Sequence, residues 1–138
     1  MRHRSLEIIR DEHSSLAAML QSMRMMVDRG PGNDPRNFFD VLRAMLFYID
    51  EFPERLHHPK ESELLFPRVK KASPHTADAI ARLDRDHHYT EVAVRDIQHL
   101  LLGWELMGES RKQVFLHEFT KYVSQYLEHM RLEESVIL

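Results

Sequence analysis

Histidines and glutamates interrupt the apolar pattern of this chain at regularly spaced positions. Ten of the 138 residues are histidine, and histidine is the commonest metal ligand and the usual acid–base group near neutral pH. The polar residues that fall within apolar stripes are His13, His57, Glu61, His87, His129 and Glu133, and the stripe that holds His87 continues with Thr90 or Glu91. Such residues in an apolar core indicate a bound cation, because a buried carboxylate is costly unless an opposite charge compensates it.

Two pairs of these residues share a spacing of four. His57 precedes Glu61 in one pair, and His129 precedes Glu133 in the other. Residues at i and i+4 lie on the same face of a helix, so both side chains of each pair can reach one point. The spacing therefore predicts two helices that each supply an imidazole and a carboxylate to a common site.

Four helices are the elements that must position these side chains. Glycine and proline break the chain at 30–34, 72–75 and 107–109. Between the breaks, apolar residues recur at steps of three and four, which is typical of the inward face of a helix. The predicted helices cover residues 5–29, 35–71, 76–105 and 110–138. Short connections make neighbouring helices antiparallel, so we predict an all-α, up-down-up-down four-helix bundle.

The second predicted helix contains two prolines, Pro53 and Pro59. A proline inside a helix removes a backbone hydrogen bond and costs about 3 kcal/mol. Because the apolar pattern continues to Phe66, we expect a kink in this helix rather than a break. Asp34 followed by Pro35 predicts where the helix begins.

The candidate ligands also fall at one depth of the bundle. At a rise of 1.5 Å per residue, all of them lie about 10–20 Å from the same end. Four histidines and at least two carboxylates exceed the four ligands that normally close a structural zinc site. Imidazole suits iron, and bridging carboxylates suit a pair of divalent ions, although zinc or manganese also fits.

Composition excludes several other classes of protein. Hydrophobic residues make up 43% of the chain and charged residues 30%, which is typical of one soluble domain over residues 1–138. No apolar run approaches the ~20 residues that span a bilayer, and no apolar stretch follows Met1–Ser5, so we expect neither membrane association nor a secretion signal. The absence of cysteine fits the cytoplasm, and the net charge of −3 gives no support for nucleic-acid binding.

Four segments resemble the hemerythrin-like proteins with an HHE cation-binding domain. The matching segments are Asp11–His13, His57–Pro67, Asp86-His87 and Tyr126–Glu134, so the resemblance covers essentially the whole chain. The resemblance implies two iron ions, bridged by two glutamates and an oxo or hydroxo species. The implied ligands are His13, His57, Glu61, His87, His129 and Glu133. Members of this family bind oxygen reversibly, sense oxygen or nitric oxide, handle iron or react with peroxides.

The sequence departs from the oxygen-carrying hemerythrins in two places. Those proteins use two histidines one turn apart on the third helix, whereas Glu91 follows His87 here. They also use an aspartate five residues after the histidine of the fourth helix, whereas Glu133 and Glu134 stand four and five residues after His129. More carboxylates predict a more open or more anionic iron position, which argues against simple oxygen carriage.

Two further sets of residues surround these candidates. Neighbours that could be additional ligands, or could hold the ligands in place, are Glu91, Glu134, His58 and His88. Residues expected to line the site as a dry apolar wall are Leu16, Leu64, Ile80 and Val94.

The expected function is binding or sensing rather than catalysis. The small ligand would be oxygen, nitric oxide or a peroxide at the di-iron centre, in a monomer or homodimer. A di-iron peroxidase or oxidase is the alternative from the class of enzymes. Iron storage or handling is a further alternative, and a plain structural bundle without metal is the last.

Overall fold

A computed structural model of the protein describes residues 4–52 and 61–136, with the side chains of residues 4–6 and 136 excepted. Every regular element within these ranges is helical, which confirms the predicted all-α class. The longer elements are α1 (Arg4–Arg29), α2 (Pro35–Ile49), α3 (Phe66–Ala72), α4 (Ala77–Met107) and α5 (Lys112–Val136). Short 3₁₀ turns, Pro74–Thr76 and Glu109–Arg111, precede α4 and α5.

Local signals explain where these helices begin and end. The side chain of Asp34 accepts a hydrogen bond from the backbone N–H of Asn37 at 3.1 Å, and Pro35 follows it in the first turn of α2. Gly30 and Gly108 end α1 and α4 with φ angles of 76° and 85°. Glycine adopts this left-handed conformation without the steric cost that a side chain would bring. The predicted start of α2 is therefore confirmed.

The second predicted helix differs most from its expected form. Residues 50–52 continue α2 as a π-helical turn, and Glu61–Leu65 form another π-helical turn that leads into α3. Pro53 and Pro59 lie outside the described residues, so the kink expected at these prolines stays a prediction. The π-helical turns on either side of this segment are themselves a recognised cause of sharp bends in helices.

The order of contacts shows that α2 and α4 run antiparallel. Arg43 in α2 forms an ion pair with Glu105, near the end of α4. Asp50, just past the end of α2, accepts a hydrogen bond of 3.5 Å from Gln98, which comes earlier in α4. Later residues of α2 therefore contact earlier residues of α4, as they do in an antiparallel pair of helices.

Helices α4 and α5 are antiparallel by the same reasoning, and α1 closes the bundle. The rings of Trp104 and Phe115 lie 5.4 Å apart, while Asp86, much earlier in α4, contacts His129 late in α5. Helix α1 packs against both α2 and α5. These contacts confirm the predicted antiparallel four-helix bundle. Among the described residues, no helix has an apolar stretch sufficient to cross a bilayer.

Two apolar clusters fill the interior of the bundle. The larger cluster consists of buried residues from α1, α2, α4 and α5. Within it, the ring of Trp104 packs edge-on against the rings of Phe38 and Phe39. The smaller consists of Phe66, Ile80 and Leu83, packed beneath α3. Each fully buried apolar side chain contributes roughly 1.5–3 kcal/mol to folding. The clusters leave a layer between them, which polar side chains occupy.

Three of the four residues expected to form an apolar wall are buried: Leu16, Ile80 and Val94. The prediction for Leu64 is wrong, because its side chain is 60% exposed. The π-helical turn changes the number of residues per turn just before α3, so that Leu65 and Phe66 pack on the smaller cluster instead.

Candidate metal centre

Four buried side chains converge in the layer between the two apolar clusters. Glu61 comes from the π-helical turn, His87 from α4, and His129 and Glu133 from α5. Each offers one possible ligand atom, and these atoms all lie within 4.8 Å of one another. The most exposed of the four is His87, at 7%. The described residues thus contain a buried group of imidazoles and carboxylates that could hold a metal ion.

His13 brings a third imidazole to this group from α1. Its Nε2 atom lies 3.2 Å from Oε2 of Glu61 and 3.3 Å from Oε1 of Glu133. The other oxygen of Glu61 lies 2.9 Å from Nε2 of His87, and the other oxygen of Glu133 lies 3.2 Å from Nε2 of His129. Each glutamate therefore has one oxygen at His13 and the other at a histidine of α4 or α5.

The Nδ1 atoms of the three rings face outward to a second set of polar groups. The contacts are His13 with Oε1 of Glu134 at 3.4 Å, His87 with Oγ of Ser62 at 3.0 Å, and His129 with Oδ2 of Asp86 at 3.2 Å. Histidines that bind metal usually make such an outer contact, because it fixes the tautomer and the orientation of the ring. All three rings thus present Nε2 to the buried carboxylates.

The surroundings of His129 favour a cation at its Nε2 atom. A neutral imidazole has one N–H, whereas ionised carboxylates only accept hydrogen bonds. His129 faces Asp86 at one nitrogen and Glu133 at the other, so a neutral ring leaves a lone pair against a carboxylate. Burial and, to a lesser extent, the nearby His87 together lower the pKa of His129 to about 4, against the opposing effect of Asp86. Since an imidazolium is therefore unfavourable at neutral pH, Nε2 of His129 and the carboxylate of Glu133 are together suited to hold a metal ion.

The distances within the group also fit shared coordination. The four contacts between Nε2 atoms and glutamate oxygens measure 2.9–3.3 Å. Ligand bonds to a first-row metal are about 2.0–2.2 Å long, so two ligands at right angles lie about 3.0 Å apart. Imidazoles together with carboxylates suit iron, zinc or manganese.

The predicted ligands divide into four groups by where they lie. The structure brings together His13, Glu61, His87, His129 and Glu133. His57 and His58 lie outside the described residues. Glu134 is half exposed, and its Oε1 atom lies 3.4 Å from Nδ1 of His13, the nitrogen that faces away from the buried carboxylates.

The structure places Glu91 and His88 away from the centre. Glu91 has 48% of its side chain exposed, and its Oε1 atom lies 3.8 Å from Nη2 of Arg95 on the same helix. The side chain of His88 is also exposed. The inward stripe of α4 at this level passes from His87 to Thr90, which is buried and donates a hydrogen bond to the carbonyl oxygen of His87. The inward position is thus three residues after His87 rather than four.

Two residues of the centre were not among the predicted ones. Asp86 stands next to His87 in one of the matched segments, so its position carried a weak signal. Ser62 follows Glu61 directly, and on a regular α-helix it would point about 100° away from that glutamate. No feature of the apolar spacing marks it.

Two clefts bring solvent to the edges of this buried centre. A groove of about 320 Å³ runs between α1 and α5 and is lined by His13, Ala17, Met130 and Glu134, among others. A second cleft of about 210 Å³ lies between α4 and α5, beside Asp86 and His129. Small molecules can therefore approach His13 from one side and His129 from another.

Comparison with known proteins gives one family. The model of the hemerythrin HHE cation-binding domain matches residues 4–138. An uncharacterized protein of Haemophilus influenzae is 30% identical over 95 residues. This match covers 69% of the chain and 53% of the relative, so the chain spans about half the length of the curated relative that it matches. No solved structure matches.

Proposed function

Because the chain belongs to the family of hemerythrin HHE cation-binding domains, we propose that its buried centre holds two iron ions and binds or senses oxygen, nitric oxide or a reactive oxygen species. The arrangement of the two glutamates supports two ions. Glu61 and Glu133 each direct one oxygen to His13, and they direct the others to His87 and His129 respectively. Carboxylates that face two sets of imidazoles in this way are suited to bridging a pair of cations.

The ligands would divide between two positions. His13 with one oxygen of each glutamate would hold one iron, and His87 with His129 and the remaining oxygens would hold the other. Iron held by these residues would supply the redox chemistry needed to bind oxygen, nitric oxide or peroxide.

The composition of α4 supports sensing or peroxide chemistry over oxygen carriage. His87 is the one histidine that α4 brings to the described centre, and the buried residue one turn later is Thr90. Glu91, at the position where an oxygen carrier would have a second histidine, is exposed and lies beside Arg95. The iron position at His87 would thus keep fewer protein ligands than in a carrier.

Apolar side chains would protect the centre from water. Phe66 stacks on the ring of His87 with centroids 5.6 Å apart, and Tyr126 lies edge-on to His129 at 6.4 Å. Both side chains are 1% exposed. This wall keeps the dielectric constant low around the carboxylates, which strengthens their attraction for a cation.

Metal analysis together with an absorption spectrum tests the proposal. Protein purified without air and reconstituted with ferrous iron should hold two irons per chain and develop a near-ultraviolet or visible charge-transfer band on exposure to air. The matched control is Glu109→Gln, which removes an exposed carboxylate at the other end of the bundle and should change neither result. Less than one metal per chain without such a band would refute the proposal.

A di-iron peroxidase is the second candidate, and the groove between α1 and α5 favours it. Because His13 lines this groove, peroxide would have a route from the surface to one edge of the centre. Continuous peroxide consumption by the wild type that is lost in Glu61→Ala would favour the enzyme. A single stoichiometric reaction per centre would favour binding or sensing, and loading beyond two irons would favour storage.

A further inference from the structure

We infer that Ser62 is a positioning residue that sets the tautomer and the donor strength of His87. The inference rests on the proposed function, because it concerns a histidine assigned there to a metal ion. The hydroxyl of Ser62 lies between two groups. It donates a hydrogen bond of 2.7 Å to Oδ1 of Asp84, and it lies 3.0 Å from Nδ1 of His87.

The hydrogen bond to Asp84 decides the direction of the contact with His87. A serine hydroxyl has one proton, and an ionised carboxylate can only accept. Since Asp84 takes the proton of Ser62, the serine oxygen must accept from Nδ1–H of His87. The imidazole then has its lone pair on Nε2, which faces Glu61 at 2.9 Å. This tautomer is the one that a metal ligand at Nε2 requires.

The π-helical turn Glu61–Leu65 makes this arrangement possible. Glu61 and Ser62 are consecutive in sequence, yet they contact the two nitrogens of the same ring. Phe66 stacks on one face of that ring with an interplanar angle of 16°. One short segment therefore holds His87 at both edges and on one face. Single π-helical turns of this kind occur frequently at functional sites.

The serine also makes His87 differ from its neighbour His129. The Nδ1 atom of His129 lies 3.2 Å from the carboxylate of Asp86, whereas Nδ1 of His87 lies 3.0 Å from the hydroxyl of Ser62, which in turn donates to the carboxylate of Asp84. A direct carboxylate contact increases the basicity of an imidazole more than a hydroxyl does. Nε2 of His87 should therefore donate its lone pair to a metal ion less strongly than Nε2 of His129 does.

Ser62→Ala tests the role of the hydroxyl, with Co²⁺ as a probe. We expect the variant to bind two metals at saturation, with affinity reduced about 10–100-fold in competition with a chelator and with shifted d–d absorption bands. Ser62→Thr should restore both properties, and Asp84→Asn should weaken the affinity less than Ser62→Ala. Ser124→Ala, an exposed serine in α5, is the matched control and should behave as the wild type.

The outcomes separate this inference from the proposed function. If Ser62→Ala has the affinity and spectrum of the wild type, the inference is wrong while the metal centre stands. If Ser62→Thr binds as poorly as the alanine variant, the hydroxyl is not the cause and the inference is again overturned. A wild-type protein that binds no metal would refute both proposals.

Discussion

The Nε2 atom of His13 lies 3.3 Å from Oε1 of Glu133, where the first side chain is 3% exposed and the second is fully buried. The contact joins α1 to α5 across the interior of the bundle. A carboxylate buried to this extent costs several kcal/mol unless a positive charge lies beside it. The pair therefore links the stability of the bundle to the cation that the centre holds.

Replacing Glu133 by glutamine should separate metal binding from folding. The variant loses a buried negative charge, so we expect iron content to fall to one ion or fewer per chain. The metal-free variant should be as stable as the metal-free wild type or more stable, because an amide costs less to bury than a carboxylate. Metal analysis and urea unfolding check the two results. A metal-free variant that is less stable would contradict this account, and Glu118→Gln, a partly exposed carboxylate in α5, is the control.

Metal binding should stabilise the wild type but not a variant that lacks a ligand. At a free metal concentration of 100 times the dissociation constant, the wild type should gain about 2.7 kcal/mol. His129→Leu should gain much less, as measured by thermal unfolding with and without ferrous iron. A structural bundle predicts instead that this substitution has the same effect on stability under both conditions.

The metal-free protein should lose stability as the pH falls below neutral. Burial lowers the pKa of His129 from 6.5 to about 4, so the unfolded chain binds more protons within this range. The contribution of His129 is fully present above pH 6.5 and declines towards pH 4, by at most about 1.4 kcal/mol per pH unit. Urea unfolding of the metal-free protein across this range should show the decline, and His129→Gln should make it shallower. An equal slope in the variant would assign the decline to other groups.

Core substitutions far from the centre should weaken the fold without changing the metal content. Leu101 is 1% exposed within the larger apolar cluster, so Leu101→Ala should cost about 2–5 kcal/mol of unfolding free energy. Leu106 on the same helix is 71% exposed, and Leu106→Ala should change stability by less than about 0.5 kcal/mol. Both folded variants should bind as much iron as the wild type, and a selective loss of iron in Leu101→Ala would show that the two regions are coupled.

A bulky residue in the groove between α1 and α5 should slow access to the centre. Ala17 lines this groove together with His13, so Ala17→Phe should lower the rate of ferrous iron loading several-fold and leave the final content unchanged. Stopped-flow measurement of loading into metal-free protein checks the rate. Ala18→Phe places the same bulk at an exposed position one residue along α1 and should load normally. Equal loading rates in all three proteins would contradict this prediction and would favour entry through the cleft beside Asp86.

The sequence alone determined the bundle and most of its polar centre. Helical spacing is a local property, and it identified His13, Glu61, His87, His129 and Glu133 because each interrupts an apolar stripe. Burial of an ionisable group requires compensation wherever it occurs, so these interruptions already indicated a cation. The choice of iron and the number of ions came from the resemblance to a family rather than from spacing.

The tertiary structure decided which neighbouring side chains face the polar centre and contact these residues. Whether Glu91 or Thr90 faces inward depends on the rotation of α4 about its axis, which packing against the other helices sets. The inward position of Ser62 and the exposure of Leu64 depend on the π-helical turn at Glu61–Leu65. A π-helical turn changes the number of residues per turn for a few residues only, so the apolar pattern of a long helix does not reveal it.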